Sequence, residues 1–286
     1  MKVGLGAGLF LWERSIVNLR SQALTALLVQ DPTAKLAAVR AIAHGLPVGA
    51  DDDLDEPAGV PGRPEGLRFV SPQQVPKRSV RTIQGRAALL HSLAHIEFNA
   101  INLALDVLWR YPGLPDAFYA GWLQVAVEEA LHFELLSDHL QTLGVSYGDL
   151  PVHDGLWDMA ERTRFDLLAR LALVPRTLEA RGLDACPLVH RKLLDAGDEK
   201  AAAIIAIILR DEVGHVALGN YWYRKVCQEQ GLPDFDTYGE LAQRYRAPRL
   251  RGPFNREARL EAGFTVEEID ELERLDAAFK NGLPTP

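Results

Sequence analysis

Residues 128–132 read Glu-Glu-Ala-Leu-His, and residues 211–215 read Asp-Glu-Val-Gly-His. Each phrase sits inside a long, mostly apolar run without proline, which predicts a helix. Helical positions three apart share a face, so Glu129 points with His132 and Glu212 with His215. Trp122, Val125, Ala126, Phe133, Leu136 and Leu140 occupy the rest of the first face. Ile205, Ile208, Leu209, Val216 and Gly219 occupy the second. An acid and an imidazole on a core-facing stripe need partners, because unpaired buried charge is costly. Two such pairs satisfy each other if they share metal ions.

The upstream sequence sharpens this. Glu97 precedes Glu129 by 32 residues, and Glu179 precedes Glu212 by 33. Glu97 shares its face with Leu90, Leu93, Ala94, Ile101, Ala104 and Leu108; Glu179 shares its own with Leu168, Ala172 and Pro175. The chain thus reads helix with Glu, then helix with Glu-x-x-His, twice over. One Glu from each of two helices and Glu-x-x-His from each of two others is the ligand set of di-iron and di-manganese carboxylate bundles. A single Glu-x-x-His arises by chance in many helices; two, each preceded by an inward Glu at near-equal distance, are specific. The candidate metal-binding and catalytic residues are therefore Glu97, Glu129, His132, Glu179, Glu212 and His215. Two symmetric sets imply two ions, each held by one terminal Glu and one His, with two Glu bridging. Mixed oxygen and nitrogen donors suit iron(II) or manganese(II). The expected cofactor is two iron ions, with manganese or a mixed manganese/iron pair as the alternative.

Other residues have weaker claims. Glu128 and Asp211 lie four residues before His132 and His215. They read either as acceptors that hold the imidazoles from behind or as solvated acids. His91 and His95 lie off the Glu97 face and read as satisfied structural histidines, with His95 retained as a candidate support for the ligands. Pro175 removes a backbone hydrogen bond and should kink the helix that carries Glu179. Tyr221, Trp222 and Tyr223 read as aromatic core.

The chain has 286 residues, 48% hydrophobic and 24% charged, which is globular composition. Its net charge of −8 argues against wholesale nucleic-acid or membrane affinity. Two cysteines, Cys186 and Cys227, cannot build a disulfide framework, so the expected compartment is the reducing cytoplasm. The apolar start at residues 3–11 is soon interrupted by Glu13 and Arg14, so no signal peptide is expected. No run is long enough for a membrane span. Residues 1–50 read as an N-terminal helical extension, with helices over 13–30 and 33–44, and residues 51–77 as an extended linker rich in Gly, Pro and Asp. Residues 78–231 read as the four-helix unit, with helices over 79–109, 115–143, 156–181 and 198–230 and a short helix over 187–194. Residues 232–286 read as a helical tail packed on that unit, with an arginine-rich turn over 244–259.

The phrases His95-Ile96-Glu97, residues 128–133, Leu178-Glu179-Ala180-Arg181-Gly182-Leu183-Asp184 and residues 211–215 resemble a bacterial ferritin-like family catalogued as a domain of unknown function. The resemblance takes in Arg249-Leu250-Arg251-Gly252-Pro253-Phe254-Asn255 and spans roughly residues 60–265, leaving residues 1 to about 50 outside it. More distantly, the arrangement is similar to the tRNA hydroxylase that acts on methylthio-isopentenyladenosine, a ferritin-like di-iron enzyme. The resemblance implies an all-α, ferritin-like four-helix bundle, and all six ligand positions agree with it. The expected function is that of a non-haem di-iron oxidoreductase that activates dioxygen to hydroxylate or oxidise an organic substrate. The alternatives are a ferroxidase, a peroxidase or a manganese/iron-binding protein without oxygenase activity, and a structural or RNA-binding helical module. The long linker, the N-terminal helices and the arginine-rich tail favour an enzyme over a storage protein. Expected partners are a small-molecule or nucleotide substrate, dioxygen and an external electron donor. RNA enters only if Arg246, Arg249 and Arg251 lie near the mouth of the site.

Overall fold

The computed structural model describes residues 17–42, 45–75 and 78–282. Those residues form an all-α structure. Among them an isolated parallel bridge between Phe69 and Val152 is the one β-type pairing. The apolar start at residues 3–11, the first residues of the helix expected over 13–30, the last of that expected over 33–44, and residues 76–77 of the expected linker lie outside the described residues.

Two N-terminal helices, α1 (Leu19–Leu28) and α2 (Pro32–Ala41), begin on the capping side chains of Asn18 and Asp31. They are no loose extension. Ala23, Leu27 and Val39 are fully buried in the same hydrophobic cluster as the long helices. Arg20 donates to the Trp109 carbonyl at 2.6 Å, and the buried Lys35 donates to Asn102 Oδ1 at 2.6 Å.

Three long helices follow the sequence expectation closely. α3 (Ile83–Arg110) starts at Thr82, whose hydroxyl accepts the Gly85 N–H. α4 (Asp116–Thr142) follows after a turn through Pro112 and Pro115. Further on, α8 (Glu199–Gln230) opens on Asp198, which accepts the Ala201 N–H, and stops at Gly231 with φ of 68°. Asp198 also accepts from His139 of α4 and pairs with Arg86 of α3, so it ties three helix ends together.

The third expected helix, 156–181, is not one helix. α5 (Gly155–Arg162) ends in a turn, Asp166 caps α6 (Leu167–Leu173), a π-helical turn covers Val174–Glu179, and α7 runs over Ala180–Asp195. The kink expected at Pro175 thus takes the form of a widened turn, in which the Thr177 hydroxyl donates to the Ala172 carbonyl at 2.7 Å. Gly182 does not stop the helix, since a helical glycine costs only about 1 kcal/mol. The short helix expected over 187–194 is the second half of α7. Pro187 cannot donate to the Leu183 carbonyl one turn back. Asn255 does so instead, its Nδ2 lying 3.1 Å from that oxygen.

The chain is completed by α9 (Asp234–Arg244), α10 (Arg256–Glu261) and α11 (Val266–Lys280). A second, smaller cluster, including Ala180, Leu183, Val216, Phe264 and Ile269, fastens α10 and α11 to α7 and α8. α3 packs chiefly on α4, α7 on α8, and α4 on α8, which brings the faces singled out in the sequence together. No helix among the described residues is long and apolar enough to cross a membrane.

Candidate metal centre

Glu97 from α3, Glu129 and His132 from α4, and Glu212 and His215 from α8 are all buried, as their apolar stripes require. They form two sets, each with ligand atoms lying within 4.8 Å of one another: Glu97, Glu129 and His132, and Glu129, Glu212 and His215. Glu129 belongs to both. His132 Nδ1 lies 3.3 Å from Glu129 and 3.5 Å from Glu97, while His215 Nδ1 lies 2.9 Å from Glu129 and 3.9 Å from Glu212. Glu179 stands at the end of the π-helical turn and outside both sets. The residue is half-buried with one oxygen enclosed, and the charges of Glu129 and His215 reach its carboxyl.

The donor atoms are short of partners. Glu97 Oε2, Glu129 Oε1, Glu179 Oε2, Glu212 Oε2 and His215 Nδ1 are enclosed and have no aligned hydrogen bond. His215 Nδ1 and Glu129 Oε1 are close, yet the N–H direction misses the oxygen. Buried polar atoms are ordinarily paired. Lone pairs that converge on one another without pairing suit a cation between them, and each set offers the mixed carboxylate and imidazole donors that a divalent metal takes.

Electrostatics without a cation point the same way. Burial, and then the Glu129 carboxylate, push Glu97 and Glu179 up to about 8. Glu212 is raised well above the carboxylate range for the same two reasons. Glu129 stays ionised despite its burial, because His215 and His132 flank it. His132, facing Glu129 and Glu97, rises to about 12 although burial opposes this, and His215 is raised well above its usual value. Without a cation, the protons on His132 and His215 offset the charge of Glu129.

The acids beside the ligands behave differently from their expected pairing. Four residues before a histidine on its own helix, each reads either as an acceptor behind that imidazole or as a solvated acid. Instead Asp211 Oδ2 lies 3.1 Å from His132 Nε2, and Glu128 Oε2 lies 2.7 Å from His215 Nε2. The pairs cross because each ring points inward, so its far nitrogen reaches the neighbouring helix. His95 does not support the ligands. Its Nδ1 meets Tyr147 Oη at 2.9 Å and its Nε2 meets the His153 carbonyl at 3.1 Å, which fastens α3 to the loop after α4. Tyr221 is exposed, whereas Trp222 and Tyr223 are core as expected.

A family model described as a protein of unknown function (DUF455) matches residues 28–270. The chain belongs to this family. The match begins well before residue 50, so α2 lies within the DUF455 unit, contrary to the narrower span of the sequence resemblance. A protein of Haemophilus influenzae strain Rd described as uncharacterized is 47% identical over 225 residues, covering 76% of this chain and 78% of that protein. No solved structure matches.

Two stretches singled out by the resemblance meet each other in this DUF455 chain. The Asp184 carboxylate receives the Asn255 N–H at 2.9 Å and the buried Arg259 at 2.7 Å. Their role is to close α10 onto α7. Arg249 and Arg251 lie over the Phe279 ring of α11. Sequence reading missed Arg176. It is buried in the π-helical turn, donates to Asn220 and Glu268, and so ties the turn that carries Glu179 to α8 and α11. No spacing rule would have found it; it lies three residues before a ligand candidate but on another face. Cys186 was also missed. Read only as too few for disulfides, its buried thiol feels both Glu212 and Glu97.

Proposed function

We propose that α3, α4, the π-helical turn with α7, and α8 form a ferritin-like bundle around a di-metal centre, and that the protein is a non-haem di-iron oxidoreductase acting on an organic substrate. The observation that carries this is the pair of buried ligand sets sharing Glu129, with enclosed donor atoms that no protein group satisfies. Glu97 and His132 would serve one ion, Glu179 and His215 the other, and Glu129 and Glu212 both. Four carboxylates balance the charge of two divalent cations. With ions bound, Asp211 and Glu128 would accept the Nε2 protons of His132 and His215 and leave each Nδ1 lone pair turned inward. Two iron(II) ions in such a site supply electrons and open coordination positions for dioxygen. Hydroxylation of R–H consumes one dioxygen, two further electrons and two protons, and yields R–OH and water, so an external two-electron donor is part of the proposal. Ala126 and Ile208, buried on the helix faces that carry Glu129 and Glu212, would help keep bulk water from the centre.

The test is metal analysis of the full chain purified without chelators, followed by anaerobic iron(II) loading and exposure to dioxygen. Two ions per chain and oxygen uptake proportional to iron support the reading. One ion per chain would overturn the two-ion scheme. Two ions without oxygen uptake would replace the oxidoreductase with a metal-binding protein.

A further inference from the structure

A cavity of about 390 Å³ lies between the first half of α3 and the second half of α7. Its volume is within the range of small-molecule sites. Pro72, Val75, Arg78 and Val80, with Val152 and His153, border it from outside, so residues of the stretch expected to be only a linker help form its wall. The walls are largely apolar, with Ala88, Leu89, Ile96, Val152 and Val189 among them. No carboxylate lines it. Its two charged side chains are Arg78 and Lys192, both exposed, and neither has an ion-pair partner among the described residues. His95 and His153 also border it, and burial lowers both, His95 to about 3, so they are neutral.

The cavity has a direction. Residues 78–80 sit beside Gly85 at the start of α3, where Ser79 packs against the glycine, and Lys192 lies one turn from the end of α7. These place both cations at one mouth. The other end reaches Ile96, which is exposed and one residue before the buried Glu97 on α3, and Val189, one turn beyond Cys186, whose thiol is influenced by Glu212 and Glu97. From Gly85 to Ile96 the helix rises roughly 16 Å. A largely apolar cavity with two unpaired cations at one end, running along α3 to the level of Glu97 at the other, selects for one ligand chemistry.

We propose that this cavity binds a small organic anion with an apolar body, its carboxylate or phosphate held by Arg78 and Lys192 at the mouth and its apolar end directed toward Glu97 and the metal centre. The proposal rests on the di-metal reading for what happens at the inner end, but binding at the mouth needs no metal. RNA, the other anionic candidate, is too large for a half-open cavity of this volume.

The experiment titrates the full chain, metal-free and manganese(II)-loaded, with octanoate, octyl phosphate, octan-1-ol and octylammonium, followed by calorimetry. The two anions should bind one per chain, with octan-1-ol at least ~10-fold weaker and octylammonium weaker still, since two cations face the head group. Arg78→Ala and Lys192→Ala should each weaken octanoate roughly 5- to 10-fold and leave octan-1-ol unchanged. Val189→Trp, at a half-buried position on α7, should abolish binding of both while the circular dichroism stays that of the wild type. In the manganese(II)-loaded chain, proton NMR of bound octanoate should show the terminal methyl broadened more than the C2 protons. The proposal is overturned if octan-1-ol binds as tightly as octanoate, if the Arg78→Ala/Lys192→Ala double variant keeps full affinity, if the C2 protons broaden more than the methyl, or if no anion binds. Two manganese ions per chain with no octanoate binding would overturn the cavity and leave the metal reading standing. Octanoate binding to a chain that takes up no manganese would do the reverse for the metal reading, while upholding the anion site.

Discussion

Asp211 and Glu128 work across the helix pair, each on the imidazole that the other helix contributes. A carboxylate at Nε2 fixes the tautomer with Nδ1 bare and raises its basicity, and loss of such a partner typically costs 10- to 100-fold in metal affinity. Asp211 is itself held by Arg210 at 2.7 Å and 3.0 Å, so its orientation is set before any ion arrives. Asp211→Asn should therefore weaken the ion held by His132, and Glu128→Gln the ion held by His215, each by 10- to 100-fold, with the other ion affected less. Chelator-competition titrations of manganese(II) on both variants check this. If Asp211→Asn instead resembled a His215 variant, the acids would be acting along their own helices and the crossed arrangement would be wrong.

At the scale of the element, the π-helical turn Val174–Glu179 decides where Glu179 points. It is seated against α8 at Gly219. A Cβ there would lie 2.5 Å from Pro175 Cβ and 2.7 Å from Pro175 Cγ, and a proline ring cannot swing aside. In an ordinary exposed helix Gly→Ala stabilises by about 1 kcal/mol. Here overpacking, typically 1–3 kcal/mol, should outweigh that gain. Gly219→Ala is expected to lower stability in urea unfolding and to weaken metal binding, because the turn and Glu179 must shift together. A stabilised Gly219→Ala protein with unchanged metal affinity would show that the turn has room. Asn255→Ala should likewise cost ~1–3 kcal/mol in the same measurement, since it strands the Leu183 carbonyl that Pro187 has already deprived of a donor. These two positions mark what the sequence does and does not disclose. Helices α3, α4 and α8 were legible because apolar periodicity, capping residues and a closing glycine or proline agree along each of them. The ligand faces were legible for the same reason, with Glu97, Glu129 and Glu212 as lone acids on apolar stripes. The segment 156–195 was not. Pro175 and Gly182 read locally as a kink and a stop, whereas the helical path continues: Gly219 makes room for Pro175, Gly182 costs little, and Asn255, distant in sequence, serves the carbonyl that Pro187 leaves without a donor. Long-range compensation of that kind leaves no periodicity to read.

For the molecule as a whole, folding and metal binding should be linked through protons. Without metal, Glu97 and Glu179 titrate near 8, and Glu212 is raised well above its usual range. An acid whose pKa is raised by folding stabilises the fold fully below its unfolded value, near 4.5, and that contribution is lost as pH rises through the folded value. His132, raised to about 12, runs in the same direction from its unfolded value near 6.5 upward. Glu129 is lowered and runs oppositely, but only below the carboxylate range. Lys35, pushed down to about 7 by burial, adds a rising contribution above that pH, equally in the metal-free and metal-bound protein, so it cancels from their difference. The metal-free chain should thus lose stability between pH 5 and pH 8. Metal binding requires deprotonated ligands and displaces several protons, so its stabilising effect should grow across the same window. Thermal unfolding with and without manganese(II) should show a metal-dependent rise in Tm that is larger at pH 7.5 than at pH 5 by roughly 5 °C or more, given about 2–4 °C per kcal/mol for a domain of this size. Glu212→Ala removes one of the mutually repelling carboxyls, so the metal-free variant should melt close to the wild type or above it, while its gain from metal should largely vanish and oxygen uptake should cease. Equal metal stabilisation of wild type and Glu212→Ala would mean that Glu212 is no ligand, and the twofold arrangement about Glu129 would have to be given up.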